Sequence, residues 1–94
     1  MIIDTLTKFL KEKFDDFIIL YKKEFKTANH SFRIEGNKCI KFLIFSDNYI
    51  DDHKEEEIIK YLNKIDVASL LKNPTVESIF ITNQGYKIKK TNEN

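Results

Sequence analysis

The chain predicts an α+β fold in the order helix, hairpin, helix, hairpin, with two helices packed on one face of a four-stranded, mostly antiparallel sheet. Three observations predict it: an apolar stripe at helical spacing near the N-terminus, two β-branched and aromatic stretches that each break at a glycine, and a helix-start signature between them. Such helices have one apolar side and such hairpins alternate, so all of them bury their apolar surface when the helices layer onto the sheet.

Leu6, Leu10, Phe14, Phe17, Tyr21 and Phe25 recur every three or four residues, the stripe of an amphipathic helix of about six turns. A first helix is therefore expected over residues 4–26. Within it, Phe17-Ile18-Ile19-Leu20-Tyr21 has the composition of a buried strand as well, but the stripe on either side favours helix. A lysine-bearing amphipathic helix can also lie on a membrane. Here Glu12, Asp15, Asp16 and Glu24 share the polar side, which points to packing on a core and to no membrane partner.

The first hairpin is expected over residues 31–46, around Gly36-Asn37. A three-residue loop, Glu35-Gly36-Asn37, pairs Ile34 with Lys38 and Phe32 with Ile40. It gathers Phe32, Ile34, Ile40, Phe42 and Ile44 on one face and leaves Arg33, Cys39, Lys41, Leu43 and Phe45 on the other. A two-residue Gly36-Asn37 turn would set Arg33 and Glu35 beside Ile40 and Phe42, so the hydrophobic pattern selects the longer loop.

Asp52-His53-Lys54-Glu55 reads as a capping box opening a second helical region over about 52–72. Ile58, Ile59, Leu62 and Ile65 form its buried side, Asp66 caps a short further turn from Val67 to Lys72, and Asn73-Pro74 stops it. A last hairpin over residues 76–90, with a tight turn at Gln84-Gly85, puts Ile79, Ile81, Tyr86 and Ile88 on one face. Ser78, Phe80, Thr82, Lys87 and Lys89 take the other. The core expected from these registers comprises Phe14, Phe17, Tyr21, Ile40, Phe42, Ile44, Leu62, Ile79 and Ile81.

The length of 94 residues suits one small domain, residues 1–94, with 91–94 expected as a disordered tail. A hydrophobic content of 41% with 13% aromatics excludes wholesale disorder. The single Cys39 excludes an intrachain disulfide, and charges interrupt every apolar run before a secretory or membrane-spanning segment forms, so a reduced cytoplasmic location is expected. The net charge of +1 is unevenly spread. Residues 47–66 carry Asp47, Asp51, Asp52, Glu55, Glu56, Glu57 and Asp66 against Lys54, Lys60 and Lys64, which is −4 and leaves +5 elsewhere. Abundant Lys, Ile and Asn match the codon pressure of an AT-rich genome, and so short a gene suits a phage or mobile element.

Catalytic signatures are missing: there is no GxSxG, Walker loop or dinucleotide fingerprint. His30, Cys39 and His53 lack zinc-ligand spacing, and the run from Asp51 to Glu57 lacks the alternating ligands and glycine of a calcium loop. No enzyme activity, cofactor or metal is expected. A winged-helix reading of Asn83 to Lys90 lacks a recognition helix, because the segment before it, Asp66 to Lys72, is short and electrically neutral while the longer second helix is acidic and phosphate would repel it. The strongest candidate is the sheet's wet face, where Leu43, Phe45 and Phe80 sit amid Arg33, Lys41, Lys87 and Lys89. The expected function is a non-catalytic protein-binding module, a stoichiometric regulator, inhibitor or accessory factor that captures another protein or a second copy of itself. Nucleic acid, stacking on Phe45 and Phe80, is the alternative ligand of that face.

Overall fold

The structure is a computed structural model, and it describes residues 1–91; of the expected tail 91–94, residues 92–94 lie outside the described residues, and Thr91 N–H donates to Thr75 O at 2.8 Å. In chain order the elements are α1 (Ile2–Lys13), β1 (Ile18–Lys23), β2 (His30–Gly36), β3 (Cys39–Phe45), α2 (Asp47–Asp52), α3 (Glu55–Lys64), α4 (Val67–Lys72), β4 (Val76–Thr82) and β5 (Gly85–Lys90). The class is α+β, with five strands among the described residues instead of four. They lie side by side in the order β1-β2-β3-β4-β5, antiparallel except for β3 and β4, which run parallel. The helices α2 to α4 form the crossover that a parallel pair requires.

The long first helix is corrected. Helical geometry stops at Phe14 (φ −131°, ψ 62°), and after Asp15-Asp16 the chain enters edge strand β1. The apolar stripe misled because Phe17, Tyr21 and Phe25 are four apart, and an even spacing repeats on one face of a strand as well as of a helix. Ile19 points inward while Ile18 and Leu20 point out, the period of two that a strand imposes. Phe25 ends up 98% exposed in the turn between β1 and β2. That turn is closed by Glu24 N–H donating to Asn29 O (2.8 Å), with Ala28 at a left-handed φ of 61°.

The register of the β2–β3 hairpin also differs. Gly36 pairs with Cys39, so the turn is the two residues Asn37-Lys38, and Lys38 takes the left-handed position (φ 67°). An even loop reverses the facing of β3 relative to the expected odd one: Phe32 opposes Leu43, His30 opposes Phe45, and Ile34 opposes Lys41. Gly36 serves close approach, because the ring of Phe17 occupies the space where a Cβ would stand.

The second helical region divides in three. Ser46 caps α2, its Oγ accepting from Tyr49 N–H at 3.2 Å; Lys54 begins α3, its N–H donating to Glu57 Oε1 at 2.9 Å; and Asp66, at a left-handed φ of 54°, precedes α4. The capping pair is thus Lys54 with Glu57, two residues later than Asp52 with Glu55. The β4–β5 hairpin keeps its predicted facing, with Ile79 opposite Ile88 and Ile81 opposite Tyr86, although its turn is Asn83-Gln84.

All helices cover one side of the sheet. Leu6, Leu10 and Phe14 from the N-terminal helix and Ile58, Leu62, Val67 and Leu71 from the crossover join Ile19, Phe32, Ile34, Leu43, Phe45, Ile79 and Ile81 in one core. An aromatic file crosses it, Tyr21 to Phe32 to Phe45 to Tyr49, with successive ring centroids 5.2, 5.9 and 6.1 Å apart. Of the expected core, Phe14, Leu62, Ile79 and Ile81 are buried and Phe17 is half-buried against the core, whereas Tyr21, on edge strand β1, is 37% exposed and Ile40, Phe42 and Ile44 face the other way.

Candidate interaction surface

The uncovered face of the sheet can be written as three rows of neighbouring side chains. Ile18, Glu35 and Ile40 form the first; Leu20, Arg33, Phe42, Ser78 and Lys89 the second; Lys22, Ser31, Ile44, Phe80 and Lys87 the third. The centre is apolar, the β5 edge is basic with Lys87 and Lys89, and the β1 edge is apolar apart from Lys22. Ile18, Leu20 and Ile40 are 59%, 50% and 41% exposed, and Phe42, Ile44 and Phe80 are half-buried. Contiguous apolar surface of this kind, rimmed by charge, distinguishes interaction sites from ordinary surface.

Charges on this face are partly paired. Arg33 Nε lies 3.3 Å from Glu35 Oε1 but at an angle that makes no hydrogen bond, which leaves that buried nitrogen without a partner among the described residues. Lys89 Nζ is 3.9 Å from Glu77 Oε2, a loose surface pair of little energetic weight. Beside Phe80 and Ile44 the surface dips into a hollow of about 250 Å³ bordered by Lys87 and Lys89.

Of the residues expected to bind a partner, Arg33, Phe80, Lys87 and Lys89 lie on this face. Lys41, Leu43 and Phe45 do not. The even hairpin turn carries them to the covered side, where Leu43 and Phe45 are fully buried. Lys41, 7% exposed, donates from Nζ to Asn73 O (2.8 Å) and Val76 O (2.6 Å), closing the C-terminal end of α4. The face gains Ile18 and Leu20, which the helix reading of residues 17–21 concealed, and Ile40, Phe42 and Ile44, which the odd-loop register assigned to the core. Both signals were legible as the alternatives of strand and even turn.

His30 sits in a hydrogen-bonded group at one end of the β2–β3 hairpin. His30, 7% exposed, shares a 2.7 Å hydrogen bond through Nδ1 with the Tyr21 hydroxyl and a 2.8 Å one through Nε2 with Asp47 Oδ1. Cys39 stands at the opposite end of the same hairpin. The hydrogen bond from His30 holds the Asp47 carboxyl below its ordinary range, helped by Lys23, and burial followed by the charge of Asp47 raises the Tyr21 hydroxyl. This trio ties β1 and β2 to the start of α2. Among the described residues no three His, Cys, Asp or Glu side chains converge as metal ligands, and no helix is long and apolar enough to cross a membrane.

Comparison with known proteins adds no relative: no family model matches the chain, and no curated protein or solved structure matches it.

Proposed function

We propose that the protein is a non-catalytic binding module, a stoichiometric regulator, inhibitor or accessory factor, that captures another protein or a second copy of itself on the open face of its sheet. The observation that carries this reading is the apolar band of Ile18, Leu20, Ile40, Phe42, Ile44 and Phe80 left uncovered on a sheet whose other face is roofed by every helix described. Five strands about 4.8 Å apart and six or seven residues long offer a face of roughly 500 Å². Covering it with a partner removes about 1,000 Å² or more in total, the lower end of specific interfaces.

The test is a double substitution, Ile44→Ser with Phe80→Ser, adjacent on β3 and β4. Sedimentation should shift a self-associating wild type toward monomer, and co-purification from the native host should lose a heterologous partner, while the folded far-ultraviolet spectrum persists. Retention on single-stranded DNA that falls steeply with salt and with replacement of Lys87 and Lys89 would instead favour the nucleic-acid reading, because released counterions set that slope. That reading rests on less, since Phe45, half of its stacking platform, is in the core.

A further inference from the structure

At the covered side of the molecule, away from the open face, α2, α3 and the β4–β5 turn border a shallow, solvent-open hollow of about 590 Å³. That volume lies in the range of small-ligand sites. One wall is aromatic. The ring of His53 lies over Tyr49 with centroids 4.3 Å apart, and Tyr61 stands 6.2 Å from Tyr49. Tyr49, 5% exposed, contributes to the floor of the hollow, and its backbone N–H and carbonyl are both engaged.

The other wall is cationic. Lys60 and Lys64 are one turn apart on the side of α3 that carries Tyr61, and neither has an acid within 4.0 Å among the described residues. Glu57 shares this side, but its carboxylate accepts from Lys54 N–H at the start of the helix. Asp52, on the preceding helix, is likewise engaged, accepting from Asn83 Nδ2 at 2.9 Å. Two free ammonium groups therefore stand at a hollow within the most acidic segment of the chain. On the third side, the amide side chain of Gln84 and the exposed turn at Asn83 supply polar groups at the rim.

We infer that this hollow is a binding site for a phosphorylated planar heterocycle, the class of nucleoside monophosphates, with the base against Tyr61 and His53 and the phosphate on Lys60 and Lys64. Aromatic stacking recognises any base face, and two point-charge lysines match a dianionic phosphate without demanding one geometry. The Gln84 amide N–H groups are available to the base or ribose, its oxygen already accepting from Thr82 Oγ1 at 3.2 Å. This site is independent of the protein-binding face, so either can fail without the other.

The experiment is an amide chemical-shift titration of the full chain with adenosine monophosphate, and in parallel with adenosine and with inorganic phosphate. Saturable shifts centred on Lys60, Tyr61, Gln84 and Gly85, absent from Phe42 and Phe80, are expected for the monophosphate, with adenosine and phosphate each at least about tenfold weaker. Lys60→Gln with Lys64→Gln, both at exposed positions, should weaken the monophosphate about tenfold and leave the melting temperature unchanged. Tyr61→Leu should weaken adenosine and the monophosphate alike. Absence of saturable shifts up to about 5 mM, equal binding of phosphate alone, or undiminished binding by the double lysine variant overturns the inference.

Discussion

At the scale of single residues, the largest surprise is a lysine. Lys41 is flanked in sequence by Ile40 and Phe42 and faces the core, where its ammonium group satisfies two carbonyls near the end of α4. Replacing it by Met keeps the apolar stem but strands those acceptors, so Lys41→Met should lower stability by about 2 kcal/mol in urea unfolding. Tyr49 reports burial in another way. Desolvation first, then Tyr61 and Glu57, pushes its hydroxyl up to about 12. A raised folded value means that Tyr49 contributes stability fully present below the ordinary tyrosine range and lost as pH rises from about 10 toward 12. Phenolate absorbance of the native protein should therefore show Tyr49 as the last tyrosine to titrate, a component removed in Tyr49→Phe. Asp47 acts with the opposite sign: its depressed carboxyl contributes stability above the ordinary carboxylate range that is lost as pH falls below about 4. Melting temperature against pH should fall more steeply there for the wild type than for Asp47→Asn.

At the scale of elements, the hairpin β2–β3 decides which side chains are core and which are surface. Both faces of β3 carry large apolar residues, Ile40, Phe42 and Ile44 on one and Leu43 and Phe45 on the other, so alternation alone could not choose its facing. The consequence is measurable as a rank order. Leu43→Ala, at a fully buried position, should cost about 2–5 kcal/mol, and Phe42→Ala, at a half-buried one, about 1 kcal/mol. The turn itself holds Lys38 at a φ of 67°, which is costly for a residue with a Cβ. Lys38→Gly should raise stability by about 0.5–1 kcal/mol in denaturant unfolding, with an unchanged slope.

At the scale of the whole molecule, two layers are built where three would shield the sheet. Helices roof one face, and the open face keeps an apolar centre between Lys22 on one edge strand and Lys87 and Lys89 on the other. Lysines along an edge strand discourage indiscriminate strand pairing, and β5 carries three, Lys87, Lys89 and Lys90. The opposite edge, β1, is less guarded, with Ile18 and Leu20 more exposed than any other apolar residue of the open face. Aspartate placed at Leu20 should thus impair partner capture as strongly as the Ile44 and Phe80 pair, with little effect on the melting temperature, as read by sedimentation and thermal unfolding.

Local sequence determined a good deal: the α+β class, helix starts near the N-terminus and within the acidic segment, both hairpin locations, and the facing of Ile79, Ile81, Phe80, Lys87 and Lys89. These follow from turn residues and apolar spacing within a dozen positions, where each signal had one reading. Tertiary structure alone decided the rest. Residues 17–21 satisfy helical and strand periodicity equally, and pairing of Ile19 with Ile34 and Tyr21 with Phe32 makes them a strand. The parity of the Asn37-Lys38 turn is settled by long-range contacts: Phe45 closes the aromatic file to Tyr49, and Lys41 reaches carbonyls more than thirty residues away. Local propensity contains no term for partners so distant in the chain, and for that reason the chain alone could indicate an uncovered sheet face but not which side chains stand on it.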